Sequence, residues 1–188
     1  MHTEIHTIPC LQDNYAYIIH NQKRNETFLI DAPESFPIIK KLEENNWKLK
    51  KIVFTHHHSD HIMGTNDLFK KFKPVLVGSE TDSHRLPTLG EKLKVNEILH
   101  LGNLRFDIIN APGHTIGHLA FYCHELGALF TGDSLMAFGC GRLFEGTPTM
   151  MWETLSQFKK LPIETKIYSG HEYAIKNLEF ALSVDSEN

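Results

Sequence analysis

Short apolar runs separated by polar turns fill the first third of the chain and predict β-strands. Runs rich in β-branched and aromatic residues cover 4–8, 15–20 and 27–31. A helix is predicted over 36–45, because its apolar residues share one face and Ser35 can cap its start. The apolar run 52–54 predicts a buried strand, and a short helix should follow over 66–72.

The second half continues the same pattern. A helix should begin at Thr147-Pro148, where a hydroxyl cap precedes a proline at the first helical position. A last helix is predicted over 173–184, whereas the polar stretch 79–97 has weak structural signals. Further strands are predicted over the remaining short apolar runs: 74–78, 104–110, 119–123, 128–131 and 166–168. Strands punctuated by helices favour two sheets packed face to face, with helices on the outer faces.

Composition narrows the class of protein. The 188 residues suit one domain, 1–188, and the net charge of -4 without a basic stripe predicts neither a nucleic-acid binder nor a membrane-surface binder. Three cysteines, a small and odd number, do not suit a disulfide framework, so a reducing, cytoplasmic location is predicted. The N-terminus lacks a signal-peptide pattern, and no apolar run reaches the length of a bilayer.

The segment 55–61, Thr-His-His-His-Ser-Asp-His, carries most of the candidate chemistry. Imidazole and carboxylate are ligands for zinc, iron and manganese. His56 and His58 leave the same face of an extended backbone, and Asp60 and His61 follow where the chain should turn. One loop can therefore serve two adjacent metals. The alternative, a solvated His-rich or tag-like tract, would sit at a terminus rather than after a buried strand.

Three later segments pair a glycine with a ligand-type residue at the end of a predicted strand. They are Gly113-His114, Gly132-Asp133 and Gly170-His171. Glycine permits the tight turns and close backbone approach that converging loops need. Each pair alone is weak, but together with the segment 55–61 they indicate a metal centre.

The combined motifs resemble the metallo-β-lactamase superfamily and, within it, the glyoxalase II or hydroxyacylglutathione hydrolase family. The matching segments run through most of the chain: Asp13-Asn14-Tyr15, 55–61, 113–118, 131–133, Gly-Cys-Gly-Arg-Leu-Phe-Glu-Gly-Thr at 139–147, and Gly-His-Glu-Tyr at 170–173. The last two are the most specific to this family. The resemblance implies an α+β fold, a four-layer αββα sandwich with a metal site at one edge of the sheets.

The resemblance also implies a binuclear site. Two divalent metal ions would be bound, most simply Zn²⁺, with Fe or Mn as alternatives. Each ion would have its own set of three ligands, and one carboxylate would bridge the two ions. The first set is His56, His58 and His114, the second is Asp60, His61 and His171, and the bridge is Asp133. Asp60 and Asp133 would be catalytic by holding a metal-bound hydroxide that attacks a thioester carbonyl and expels a thiolate.

For the substrate, the resemblance implies a small-molecule glutathione thioester, S-D-lactoylglutathione, which a monomer would hydrolyse to glutathione and D-lactate. Arg142, Phe144 and Tyr173 would contact the glutathione part. Relatives carry a tyrosine where this chain has Phe144, so one polar contact would be lost. The family normally continues into a C-terminal helical domain that grips glutathione, and this chain is expected to lack it.

Several other residues have structural interpretations. His57 should point away from the metals and make a hydrogen bond. His118 is either a partner of a ligand imidazole or a core residue, and Cys140 is interpreted as a small packed residue rather than a nucleophile. The remaining histidines are interpreted as ordinary surface or turn residues: His2, His6, His20, His84, His100 and His124.

Two alternative functions stay open. The same site could act on lactones, β-lactams, phosphodiesters or other thioesters, or oxidise persulfides at a single iron, because a fold does not fix a function. The chain could also bind metal without catalysis. The motifs 139–147 and 170–173 favour the thioesterase, and seven ligands argue against a mononuclear oxygenase.

Overall fold

The computed structural model describes residues 3–187, which form eleven strands and five α-helices. The strands are β1 Thr3–Cys10, β2 Asn14–Asn21, β3 Glu26–Ile30, β4 Leu49–Val53, β5 Val75–Ser79, β6 Glu91–Leu93, β7 Ile98–Leu101, β8 Leu104–Asn110, β9 Leu119–Cys123, β10 Ala128–Gly132 and β11 Lys166–Ser169. The helices are α1 Ser35–Glu44, α2 Ser59–Ile62, α3 Thr65–Phe72, α4 Pro148–Phe158 and α5 Ala174–Val184. A single 3₁₀ turn, His124–Leu126, joins β9 to β10.

The strands build two mixed sheets. The first has the order β1-β2-β3-β4-β5-β6, antiparallel from β1 to β3 and parallel from β3 to β6. The second has the order β11-β10-β9-β8-β7, in which only the pair β10 and β11 is parallel. Parallel strands need crossover connections, and α1, α3 and α4 lie in those connections.

The alternation of side chains along each strand creates three apolar layers. In β9, Phe121 and Cys123 face the core between the sheets, while Ala120 and Tyr122 face α4. Helices α1 and α3 cover the outer face of the first sheet, and α4 covers the second. The order of layers is therefore helix, sheet, sheet, helix, and the expected αββα sandwich is confirmed.

The helix caps and the short strands agree only in part with the predictions from the sequence. Thr147 caps α4 as expected, since its hydroxyl accepts a hydrogen bond from the Met150 N–H at 3.2 Å. The cap assigned to Ser35 is wrong: Glu34 occupies the N-cap, and the Ser35 hydroxyl donates to Asp67 instead. Strands β6 and β7 went unrecognised because both are short and mostly polar outside their inward positions.

The loops that carry the candidate ligands all lie at one edge of the two sheets. The segment 55–61 follows β4, and the β8–β9 connection, the end of β10 and the end of β11 bring the other loops to the same edge. Within residues 3–187, no helix has the length and apolarity that crossing a bilayer requires.

Candidate metal centre

Asp31, at the end of β3, organises the entrance of the His loop, residues 55–61. Its carboxylate accepts hydrogen bonds from the Thr55 N–H at 2.8 Å and the Thr55 hydroxyl at 2.7 Å, and from the His61 Nδ1–H at 2.8 Å. Because the Thr55 hydroxyl donates to Asp31, its oxygen accepts from His56 Nδ1 at 3.0 Å. One buried carboxylate thus orients two imidazoles and directs the Nε2 atom of each toward the candidate metal site.

The first group of candidate ligands is His56, His58 and His114, which offer nitrogen atoms all within 4.8 Å of one another. The His114 Nδ1–H donates to the Arg142 carbonyl at 2.7 Å, so His114 Nε2 carries a lone pair. That atom lies 2.9 Å from His58 Nδ1. Two imidazole nitrogen atoms at this distance share either a proton, as a hydrogen bond, or a cation, so the pair can serve as ligands of one ion.

The second group is Asp60, His61 and His171, again with ligand atoms within 4.8 Å. The Asp60 Oδ2 atom lies 3.3 Å from His171 Nε2. His171 donates from Nδ1 to Asp13 at 2.9 Å, and the Asn14 amide donates to Asp60 Oδ2 at 3.1 Å. The outer partners therefore fix the orientation of this group as well.

Asp133 lies between the two groups. Its Oδ2 atom is 3.4 Å from His114 Nε2 and 3.3 Å from His171 Nε2, and its Oδ1 atom is 3.3 Å from His61 Nε2. The backbone N–H of Asp133 donates to His118 Nε2 at 3.2 Å, which anchors the residue from behind. A carboxylate in this position can reach ions held by either group.

The donor set fits divalent cations on two further grounds. His56 Nε2 and Asp133 Oδ1 are buried without a hydrogen-bond partner among the residues described, and buried polar atoms of this kind need an explanation. Burial lowers the pKa of His56 well below its ordinary value, which keeps the imidazole in the neutral form that ligates. Burial opposes ionisation of Asp133, but His61 and His171 outweigh it and hold the pKa of its carboxyl well below the usual range.

The substrate residues expected from the sequence line the same cavity. A cavity of about 250 Å³ is bordered by candidate ligands of both groups and by Arg142, Phe144 and Tyr173. The Arg142 guanidinium lies 5.3 Å from the centre of the Phe144 ring, and the Tyr173 ring stacks on His171 at 4.9 Å. Burial raises the pKa of Tyr173 to about 12, so its phenol stays protonated and can donate.

Comparison with known proteins agrees with this geometry. The profile of the metallo-beta-lactamase superfamily matches residues 11–171. A hydroxyacylglutathione hydrolase of Roseobacter denitrificans is 47% identical over 188 residues, all of this chain and 74% of that protein. Another of that name, from Ruegeria pomeroyi, is 48% identical over the same span, again 74% of its length. The chain belongs to the hydroxyacylglutathione hydrolase family of the metallo-beta-lactamase superfamily.

Solved structures support the fold. The BLEG-1 B3 metallo-beta-lactamase superposes with a TM-score of 0.83 and 23% sequence identity, covering 90% of this chain and 92% of its own. At that identity the likeness concerns the sandwich and not the reaction.

The structure brings together all seven candidate ligands and all three candidate substrate residues at this one edge. His57 points away, as expected, and its Nδ1 lies 3.1 Å from Asp82 Oδ2. His118 is buried and serves Asp133 and Ser134 rather than the His114 ring. Cys140 is exposed and borders the cavity, so its interpretation as a packed residue is wrong.

His20 also departs from expectation. The sequence predicts a surface or turn residue here, but His20 is buried, stacks on Trp47 at 4.1 Å and hydrogen bonds to Thr27 at 2.9 Å. The reason is its place in β2, which lies between β1 and β3 and is buried at both of its ends. His2 lies outside the described residues.

The residues that support the ligands were missed. Asp31, Asp13 and Asn14 each hold a ligand residue in place, but aspartate and asparagine are common at turns. The sequence signal available for Asp31 was its place directly after a predicted strand, and the structure adds a positive φ of 57°, which few residue types other than glycine, asparagine and aspartate adopt readily. Position alone does not reveal its partners.

Proposed function

We propose that the chain is a metal-dependent thioester hydrolase that converts S-(2-hydroxyacyl)glutathione, with S-D-lactoylglutathione as its substrate, to glutathione and a 2-hydroxy acid. The observation that carries the proposal is the pairing of two ligand groups around Asp133 with a cavity bordered by Arg142 and Tyr173. Relatives at 47% and 48% identity bear the name of this activity.

The proposed binding of two cations follows the two groups. His56, His58 and His114 would hold one, Asp60, His61 and His171 the other, and Asp133 would serve both. When bound, divalent cations polarise a carbonyl oxygen and lower the pKa of a coordinated water toward neutrality. Imidazole and carboxylate ligands suit Zn²⁺, and they also accept iron and manganese.

The chain's own residues orient the substrate. Arg142 and Tyr173 border the cavity with donors for the carboxylates and amides of the glutathione part, and guanidinium groups suit carboxylates. Phe144 presents only its ring there, which supports Arg142 by stacking and supplies no hydroxyl. Asp60 is fixed by the Asn14 amide beside His171, so its carboxylate keeps one orientation toward the cavity.

The overall reaction balances without another reactant. Water supplies the oxygen added to the thioester carbonyl carbon, the C–S bond breaks, and the sulfur leaves as thiolate and takes up a proton. Because a thiolate is a good leaving group, a strong general acid is not needed.

The test is steady-state hydrolysis of S-D-lactoylglutathione by metal-loaded protein, with Asp133→Ala as the loss variant and Asp107→Ala as the matched control. Asp107 lies on the surface, where it pairs with His124. We expect turnover by the wild-type protein and by the control, and a fall of at least about 100-fold in Asp133→Ala. Absence of turnover by wild-type protein that holds two metals would reject this substrate, and metal analysis of the purified protein would identify the ions.

A further inference from the structure

A cluster of charged side chains beside the metal centre has no role in the proposed function. Its members are His57, Asp82, Arg85 and Glu145. Asp82 and Arg85 come from the polar stretch between β5 and β6. Asp82 is only 1% exposed, and a buried carboxylate is tolerated only where partners compensate for its lost hydration.

Asp82 connects two of the loops that carry ligands. Its Oδ1 atom accepts from Arg85 Nη2 at 2.6 Å, and its Oδ2 atom lies 3.1 Å from Nδ1 of His57, which stands between two candidate ligands in sequence. Its carboxylate also packs on Gly117 in the loop that carries His114. A Cβ atom at that glycine would lie 2.2 Å from Asp82 Cγ, so the approach excludes any side chain.

Arg85 extends the cluster to a third loop. Both of its terminal nitrogens donate to the Glu145 carboxylate, and the Nη2 to Oε2 distance is 3.2 Å. Glu145 Oε2 also accepts from the Ile116 N–H at 2.8 Å. The hydrogen bonds from Arg85 lower the pKa of Glu145 to about 2, so the pair is charged at neutral pH. Two parallel donors on one carboxylate fix geometry as well as charge.

The loop that contains Glu145 also contains Arg142 and Phe144, and it contacts the candidate metal centre in two ways. The Arg142 carbonyl accepts from His114 Nδ1–H at 2.7 Å and so orients that imidazole. The side chains of Arg142 and Phe144 border the cavity. Movement of this loop would therefore disturb both the His114 ligand and the proposed glutathione contacts.

We propose that Arg85 is a positioning residue that, through Asp82 and Glu145, holds together three loops at the first candidate metal site: the His loop 55–61, the loop that carries His114 and the loop that carries Arg142. Within residues 3–187, no hydrogen bond or ion pair of the cluster reaches Asp60, His61 or His171. The cluster meets the His loop at His57, between His56 and His58 and ahead of Asp60 and His61, so the effect of Arg85 should fall more strongly on the group His56, His58 and His114 than on the other group. The part of the proposal that concerns substrate rests on the proposed function, but the part that concerns metal does not.

The test removes the guanidinium and follows Zn²⁺ binding alone. Metal-free wild-type protein and Arg85→Ala are titrated with Zn²⁺ against a chromogenic chelator. We expect two binding constants, of which one stays unchanged and one weakens by about 10-fold, the loss typical of a removed outer partner. With S-D-lactoylglutathione, KM should rise by a larger factor than kcat falls.

Arg24→Ala is the matched control, because Arg24 forms an exposed pair with Glu26 in the β2–β3 turn, with Nε 2.9 Å from Oε2. Both Zn²⁺ constants should stay at the wild-type values in this variant. Glu145→Gln is a gentler change that keeps an acceptor for Ile116, and we expect a smaller weakening of the same single constant. It also carries the test should Arg85→Ala not fold.

Equal weakening of both Zn²⁺ constants would overturn the proposal, since it would mean general loosening of the fold. Unchanged constants in Arg85→Ala, or in Glu145→Gln if only that variant folds, would overturn it as well. The titration needs no substrate. Failure of the wild-type protein to hydrolyse the thioester would therefore count against the proposed function and leave the role of Arg85 in metal binding readable.

Discussion

Asp31 supports the candidate metal centre from outside the cavity. It is 2% exposed, and its two oxygens accept three hydrogen bonds, two from Thr55 and one from His61. The same carboxylate affects the pKa of His61. Burial lowers that pKa, but the negative charges of Asp133 and Asp31 outweigh burial and raise it well above its ordinary value. Asp31 therefore both orients the His61 ring and favours a positive charge on it.

Asp31→Asn should weaken metal binding without removing any ligand. An asparagine has one acceptor oxygen and one NH₂ donor, so at least one of the three donors from Thr55 and His61 loses its partner. We expect about a 10- to 100-fold loss of metal affinity. Competitive titration with a chelator measures it, and Asp107→Asn on the surface should leave affinity at the wild-type value. Equal affinity in the two variants would contradict the role given to Asp31.

The candidate ligands could be predicted from the sequence, but the residues that support them could not, for a chemical reason. Few side chains bind a divalent ion, so His56, His58 and Asp60 within one short loop are informative by type alone. Asp31 and Asp82 are common residues whose roles come from partners 24 to 30 and 25 positions away in the chain. Only the folded sheets bring those partners together.

The ends of the strands, rather than their interiors, shape the candidate metal site. Gly170 follows β11, and a Cβ atom built there would lie 2.3 Å from Asp133 Oδ1 and 2.8 Å from His61 Cε1. Its N–H donates to the Gly132 carbonyl at 2.8 Å, which joins the ends of β10 and β11. Close approach, rather than an unusual φ, is what requires glycine at this position.

Gly170→Ala should displace the Asp133 carboxylate and lower turnover by about 100-fold, since displacements near 1 Å have effects of that size. Gly127→Ala is an instructive comparison, because Gly127 has open space within 4 Å but a φ of 56°. That variant should cost about 1 kcal/mol of stability through backbone strain and keep its turnover. Steady-state kinetics and thermal unfolding separate the two effects. Full turnover in Gly170→Ala would show that the site tolerates the extra methyl group.

Elements were predictable where their burial pattern was regular. The strand β9 was predictable as a short continuous apolar run, and the helix α4 was predictable because its apolar residues recur with the helical period. The short helix α2 was not, because its four residues, Ser59–Ile62, were taken for a turn and its start carries metal-ligand types instead of an apolar face. Chemistry at a functional site can thus override the local pattern that sequence analysis depends on.

At the scale of the whole molecule, the core between the sheets sets the stability. Phe121 in β9 is fully buried there, alongside Phe106 and Phe130. Phe121→Ala should lower the free energy of unfolding by about 3–5 kcal/mol through lost burial and the cavity left behind. Phe180→Ala on α5, where the ring is 71% exposed, should change it by less than about 0.5 kcal/mol. Urea unfolding measures both, and similar losses would place the two rings in equivalent surroundings.

Metal binding should also act on the whole molecule, because the proposed ligands come from both sheets. His56, His58, Asp60 and His61 follow β4 in the first sheet, whereas Asp133 and His171 follow β10 and β11 in the second. Ions shared by these loops bind the folded state far better than the unfolded chain. Each site should therefore add about 2.7 kcal/mol at a free metal concentration of 100 times its Kd.

Removing the metal with a chelator should then lower the unfolding midpoint by roughly 5–10 °C per site, given about 2–4 °C per kcal/mol for a chain of this size. Differential scanning calorimetry of metal-loaded and metal-free protein measures the shift. Asp133→Asn should show less than half of the wild-type shift, because the proposed shared ligand lies within 3.4 Å of nitrogen atoms from both groups. An unchanged midpoint in protein that had held two metals would mean that the loops do not close on the ions in the native state.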